Sequence, residues 1–319
     1  MRVLFVTSTR VGDAILSTGL LDHVIRTHPN ARITIACGPA AAGLFEAVPN
    51  LERIIVLDKM LFSLHWLRLW TLTAAKVWDL VIDLRNAPAT YLLLAKERRG
   101  MPRDRSDARR VERLARILDL GEVPAPRLWV SDEDTALAAR LIPDGNPVLA
   151  VGPTANWRAK TWRAENFAAL IERLTGAGGI LPGARVAVFG RDDERPMALC
   201  LLDSILATRR IDLVGKLDLL TASACLARCA FYVGNDSGLM HLAAASGVPT
   251  LGLFGPTQEA LYAPWGEHTG IVRTEIPFQE IFPKEFDHRT SDSLMDSLTV
   301  DAAEAGARAL WQRCRKEAA

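Results

Sequence analysis

Three polar loops of this 319-residue chain carry residue types suited to a charged leaving group or a migrating proton. Gly234-Asn-Asp-Ser-Gly-Leu-Met-His241 joins a β-rich apolar stretch to a helical pattern. Small residues there let a phosphate approach the backbone. The free N–H groups and dipole of a helix start then stabilise its charge. Asp236 would repel a phosphate and suits sugar hydroxyls better, while His241, one turn in, could equally be a packed core histidine. The loop Gly152-Pro-Thr-Ala-Asn-Trp-Arg-Ala-Lys-Thr-Trp162 offers Lys160 as a point charge for a leaving phosphate and aromatics to cover a sugar. Near the start, Thr7-Ser-Thr-Arg-Val-Gly-Asp13 holds a single glycine, Gly12, so no GxGxxG dinucleotide fingerprint is present. Asp13 stands where a helix N-cap belongs and could simply cap Leu16. The alternative is a general base that takes a hydroxyl proton as the oxygen attacks, with Arg10 and Gly12 beside it.

Two further acidic stretches carry weaker signals. Gly190-Arg-Asp-Asp-Glu194 could hold ribose hydroxyls through its carboxylates or form an acidic first helical turn. Asp132-Glu-Asp134 matches a metal-binding DxD in form but lies in a linker ahead of a helix-like run, so capping and surface exposure are the expected roles. No His/Cys/Asp cluster shows metal-ligand spacing. The five cysteines, at 37, 200, 225, 229 and 314, fit neither a redox CxxC nor a paired zinc motif and read as buried reduced thiols.

These loops follow strands in a strict alternation of elements. Arg2–Thr7, Arg32–Ala36, Arg53–Leu57 and Leu80–Leu84 read as strands, separated by helical patterns at 14–27, 40–47 and in a Trp-rich stretch. In that stretch Phe62, Trp66, Leu69, Trp70, Thr73 and Val77 recur at helical spacing, which predicts one amphipathic face. A helix over 111–120 ends at Gly121. After turn-rich segments at 122–126 and 143–147 the alternation restarts, with strands at 148–151, 185–189, 211–214, 231–233 and 250–254. Such alternation predicts parallel sheets covered on both faces. We therefore expect an α/β protein of two doubly wound domains, 1–145 and 146–319, with the last helix, about 302–315, as a candidate to pack back on the first. In such folds ligands bind outside the carboxyl ends of the strands, so the expected site is a cleft between the halves.

Composition narrows the partners. With 38 Lys+Arg against 37 Asp+Glu the net charge is +1, which argues against a nucleic-acid binder. The charge is uneven: Lys96–Arg116 holds nine basic and four acidic residues, +5 in 21. It reads as a solvated face or as a patch for an anionic partner, with Arg103 and Arg105 as acceptor-side candidates. No run of 18 apolar residues and no signal peptide are seen, which predicts a cytoplasmic protein, with peripheral contact at the inner membrane left open.

In order and spacing these segments are similar to the bacterial ADP-heptose:lipopolysaccharide heptosyltransferases of glycosyltransferase family 9. The resemblance rests on Met1–Val6 with Arg10–Asp13, on Pro153–Trp162, on Val214-Gly-Lys-Leu217, on Gly234–Ala243, and on Leu253-Phe-Gly-Pro-Thr257. It implies a GT-B fold of two Rossmann-like domains, acceptor on the first and nucleotide sugar on the second. The implied reaction is an inverting, metal-independent transfer with ADP-heptose as co-substrate, no cofactor, and a glycolipid of the lipopolysaccharide inner core as acceptor. By the same resemblance Asp13 is the base and Lys160 contacts the diphosphate. Asp236, Ser237 and Gly238 hold donor sugar and phosphates with His241 beside them. Asn156 stands where the family offers a hydroxyl to phosphate, Asp193 or Glu194 holds the ribose, and Leu217 lies under the base. Phe278–Ser297 and the loops in 86–107 match nothing in the family. A relative using another nucleotide sugar or a protein or polysaccharide acceptor, and a non-catalytic nucleotide-sugar-binding module, are the alternatives.

Overall fold

A computed structural model describes residues 1–102, 108–287 and 291–317. The chain divides into two compact units, Met1–Ser131 and Asp132–Ala319.

In the first unit β1 (Arg2–Val6) leads into α1 (Val11–Thr27), followed by β2 (Arg32–Cys37), α2 (Pro39–Ala42) and β3 (Leu51–Val56). Then come α3 (Leu64–Thr73), β4 (Trp78–Asp83), α4 (Pro88–Tyr91), β5 (Ala95–Gly100) and α5 (Arg110–Ala115). The strands form one parallel sheet in the order β3-β2-β1-β4-β5. The order reverses between β1 and β4, which makes that edge a topological switch point. Leu4, Val6, Ile55, Leu69, Trp78 and Val81 lie in one face's core.

α3 departs from the expected face. Phe62 and Ser63 take left-handed backbone (φ 51° and 59°), which costs non-glycine residues roughly 1–2 kcal/mol each and starts the helix only at Leu64. His65, Leu69 and Thr73 then form the buried face, whereas Phe62 and Val77 are exposed. β5, with the sequence AKERRG, is an edge strand, and a solvated edge tolerates the charges that made this stretch read as a basic surface segment.

The second unit opens with α6 (Asp132–Leu141), β6 (Val148–Gly152), α7 (Ala164–Thr175), β7 (Arg185–Val188), α8 (Arg195–Ser204) and β8 (Arg210–Asp212). It continues with α9 (Leu219–Ala227), β9 (Phe231–Asn235), α10 (Gly238–Ala245), β10 (Thr250–Phe254), α11 (Glu259–Tyr262), β11 (Thr269–Arg273) and α12 (Val300–Glu317). Its parallel sheet runs β11-β10-β9-β6-β7-β8, so the order reverses between β6 and β9. The expected boundary at 145/146 differs from the observed division because α6 packs on α9, where Thr221 Oγ1 donates to Asp134 Oδ1 at 2.6 Å. That contact also gives Asp134 a structural role. α12 contributes to this unit's own core: Ala303, Ala307, Leu310 and Cys314 sit among Phe231, Leu251 and Leu253. Amphipathic α7 buries Phe167, Leu170, Ile171 and Leu174 at i, i+3, i+4 and i+7. All five cysteines are free, and Cys200 is exposed rather than buried.

Gly152 and Gly234 face each other across β6 and β9 beneath the fully buried Tyr232. A Cβ at either would come within 2.2 or 2.3 Å of the Tyr232 hydroxyl oxygen. Gly152→Ala should therefore destabilise by about 1–3 kcal/mol through overpacking, read as a Tm fall of roughly 2–4 °C per kcal/mol. Adding Tyr232→Leu should restore part of it, and an unchanged Tm in Gly152→Ala would refute the clash.

Candidate functional site

The two switch points gather the polar loops, one in each unit. In the second, loops after β6 and β9 meet through one ion pair: Lys160 Nζ lies 2.8 Å from Asp236 Oδ2, with both side chains nearly buried. Asn235 reinforces the junction by accepting from the Trp162 N–H at 3.1 Å and donating from Nδ2 to the Pro153 carbonyl at 2.8 Å. Neighbouring β-strands thus present an ammonium whose further N–H bonds are available to an anion. Pairing also neutralises Asp236, removing the repulsion a bare carboxylate would exert on a phosphate.

α10 begins beside this pair. Ser237 is its N-cap in extended conformation and makes no side-chain cap hydrogen bond. Gly238 is the first helical residue, and His241 is buried one turn in. Burial pushes the Tyr232 phenol far above its usual pKa, so it stays protonated beneath this turn.

Next along the sheet, Glu194 Oε2 accepts from Thr154 Oγ1 at 2.7 Å and from the Arg191 N–H at 3.2 Å, which ties the loop after β7 to the loop after β6. Asp193 instead pairs with Arg191 at 2.7 Å and is exposed. Of the two carboxylates, only Glu194 is bound to the β6 loop. The segment after β8 packs against the same place: Gly215 N–H donates to the Gly190 carbonyl at 2.9 Å. Its φ is +72°, and a Cβ there would lie 2.7 Å from Asp192 Oδ1. Leu217 follows, half-buried, and Asn156 is exposed.

Residues 278–287 and 291–298 brace the β6 loop. Leu294 N–H donates to the Ala159 carbonyl at 2.9 Å and Ser293 Oγ to the Thr161 carbonyl at 2.7 Å. Trp162 Nε1 donates to the Leu298 carbonyl at 2.9 Å, and Arg163 holds Asp296 through two bonds. Phe282 stacks on Trp157 with centroids 6.4 Å apart, and Phe286 meets it edge-on at 5.5 Å. Lys160 Nζ lies 6.0 Å from the centroid of the same Trp157 ring. The one legible signal was the spacing of Phe278, Phe282 and Phe286 at i, i+4 and i+8.

In the first unit, Asp13 is the third residue of α1 and not its N-cap, a position held by Arg10 with no side-chain cap bond. Gly12 lies between them in the first turn. Asp13 Oδ1 lies 3.5 Å from Arg110 Nε, and both side chains are largely buried. The guanidinium beside it holds the carboxylate in place at the start of α1. Sequence reasoning missed Asp83, buried at the end of β4. It accepts from Ala87 N–H at 2.6 Å, Thr90 Oγ1 at 2.7 Å and Arg85 N–H at 2.9 Å, shaping the loop after β4. Burial raises its pKa despite those bonds.

The basic segment is mostly committed to internal contacts. Lys96 pairs with Asp79, Arg99 with Glu97 and Asp119, Arg98 donates to the carbonyls of Thr90 and Leu93, and Arg110 faces Asp13. Arg103 and Arg105 lie outside the described residues.

The family model for glycosyltransferase family 9 (heptosyltransferase) matches residues 68–286. Lipopolysaccharide heptosyltransferase 2 of Salmonella typhimurium is 24% identical over 334 aligned positions, spanning 93% of this chain and 94% of that protein. Lipooligosaccharide heptosyltransferase 2 of Haemophilus influenzae is 34% identical over 131 residues, 40% of this chain and 36% of that protein. The solved ADP-heptose LPS heptosyltransferase II of E. coli aligns with a TM-score of 0.76 at 20% identity, covering 99% of this chain and all of that one, a likeness of fold.

Proposed function

From the premise that the chain belongs to glycosyltransferase family 9, the heptosyltransferase family, and is a GT-B glycosyltransferase, we propose that it transfers heptose from ADP-heptose, with inversion, to a hydroxyl of a lipopolysaccharide inner-core acceptor. The observation that carries this reading is the Lys160–Asp236 pair at the β6/β9 switch point beside the open first turn of α10. It supports a diphosphate site: Lys160 and the amides of Ser237 and Gly238 take the charge that develops on the leaving ADP. Thr154 and Glu194 line the neighbouring position for the ribose, and Leu217 lies where the base would rest.

The acceptor role falls to the first unit. Asp13 takes the proton of the attacking hydroxyl as its oxygen bonds to the anomeric carbon and the bond to the diphosphate breaks. Arg110 steadies the carboxylate. Arg10 and Gly12, beside it in the first turn, are the acceptor-side contacts. Attack on the face opposite the leaving group gives inversion. Exclusion of water protects the donor from hydrolysis.

The deciding experiment offers the purified protein a panel of nucleotide sugars with a lipopolysaccharide core acceptor and identifies the product by mass. Transfer only from ADP-heptose supports the proposal. Transfer from another nucleotide sugar replaces the donor, and ADP-heptose binding without transfer or hydrolysis would indicate a binding module.

In the reaction as proposed, Lys160 and the first amides of α10 carry the charge of the diphosphate without a metal ion. Turnover should survive EDTA within about twofold. Loss on chelation with recovery on Mg²⁺ or Mn²⁺ would require a different account of the diphosphate.

A further inference from the structure

No helix among the described residues is long and apolar enough to cross a membrane, yet one surface of the first unit is strongly apolar. Of the sixteen exposed large hydrophobic side chains among the described residues, ten lie between Met60 and Leu94. α3 places His65 and Thr73 in the core and leaves Leu64, Leu67 and Trp70 in solvent, the reverse of ordinary helix patterning. The left-handed pair Phe62–Ser63 stands Leu61 and Phe62 out from the surface, 75% and 87% exposed. α4 packs on α3, and Leu92, which follows it, is 73% exposed. A monomer gains nothing from holding this many apolar side chains in water, so the concentration marks an interaction surface.

The charges within these segments are cationic, and the exposed Asp58 stands at their edge beside Lys59. Lys59–Trp78 contains Lys59, Arg68 and Lys76 and no acidic residue, and Leu84–Lys96 contains Arg85 and Lys96 and none. Lys76 and Lys96 pair with Glu52 and Asp79 outside those segments. Lys59 and Arg68 are exposed, and no ion pair to either is found among the described residues. Leu, Phe and Trp interspersed with Lys and Arg over Lys59–Trp78 is the pattern of a helix lying in a membrane interface, where cationic heads reach the headgroups while their stems follow the apolar surface. A two-fold contact with a second copy would set this cationic rim against itself.

We propose that α3 and the Leu61–Phe62 turn seat the first unit on an anionic lipid bilayer. Arg85, in the loop after β4, lies 4.6 Å from the Trp66 ring centroid, which puts the amino end of α3 at the carboxyl edge of the sheet. Asp13 follows β1 at that same edge. Seating therefore brings the end bearing Asp13 to the lipid surface. Its use in catalysis rests on the glycolipid acceptor proposed above; the seating itself does not.

The test is co-sedimentation of the full chain with vesicles, with no donor present. Wild type should bind phosphatidylethanolamine vesicles containing phosphatidylglycerol, bind phosphatidylcholine vesicles more weakly, and lose affinity as salt rises. Leu61→Ser with Phe62→Ser and Leu67→Ser should lower partitioning by roughly tenfold or more. Lys59→Ser with Arg68→Ser should reduce mainly the preference for anionic lipid. Phe62→Asp alone, at a side chain almost wholly in solvent, keeps the test informative if the triple variant misfolds. Equal binding by wild type, the triple variant and Phe62→Asp overturns the proposal. So does a wild-type dimer that becomes a monomer on these substitutions, which would give the face to a second copy. Lipid binding without transfer would refute the acceptor reading alone.

Discussion

Replacing Asp13 with alanine should lower turnover by roughly 10²–10⁴-fold, the usual cost of losing a general base. The carboxylate stands in the first turn of α1 with Arg110 at 3.5 Å. Removing it forgoes a favourable helix-end charge of about 0.3–1 kcal/mol and leaves the largely buried Arg110 without this carboxylate, so thermal unfolding measured alongside turnover should show a folded variant of lowered Tm. The Kd for ADP-heptose, measured by calorimetry, should stay within about twofold, because Lys160, Asp236 and Glu194 all belong to the second unit. Asp13→Asn keeps the shape without the basicity and should lose as much turnover. Near-normal kcat in both variants would reduce Asp13 to a carboxylate that stabilises a helix end.

Lys160→Ala should carry the next largest effect. It removes a cation from the diphosphate position and leaves Asp236, nearly buried, without its counter-charge. A charge-assisted hydrogen bond contributes about 1.5–3 kcal/mol, so donor affinity should fall by roughly 10–150-fold, and the bare carboxylate adds repulsion. Breaking one side of a nearly buried pair also destabilises the fold. Adding Asp236→Asn should return much of that stability without returning donor affinity. This cycle separates the two roles: calorimetry reads the donor and thermal unfolding reads the pair. If Lys160→Ala binds ADP-heptose like wild type, the diphosphate lies elsewhere.

Much of this architecture is legible in the residues. Apolar β-rich runs followed by helical periodicity mark most strands, and the loops after β1, β6 and β9 stand out because polar and small residues interrupt apolar stretches there. β5 escapes because an edge strand is solvated, so AKERRG carries no apolar alternation. α3 misleads because periodicity alone does not choose which face is buried: the core takes His65, Leu69 and Thr73 while leucines face outward. α6 reads as linker because its partner, α9, lies some 80 residues further on, a distance bridged by Thr221 and Asp134. Asp83 gives no local signal, since its three donors come from turns that form only once β4 ends. The candidate site divides the same way. Lys160 and Asp236 are visible as residue types in polar loops that follow strands, whereas their pairing across 76 positions is not.

The brace on the β6 loop sets an order of events during synthesis. Thr161, Trp162 and Arg163 are anchored by Ser293, Leu298 and Asp296, between 132 and 136 positions later. Chains are made from the amino end, and contacts this distant form only after a large loop has closed. When β11 has been made, every strand of the second sheet exists, but none of those three anchors does. The Lys160 loop therefore takes its final shape only after the sheet that carries it is complete, and a product ending just after β11 would retain the strands while lacking the supports of that loop.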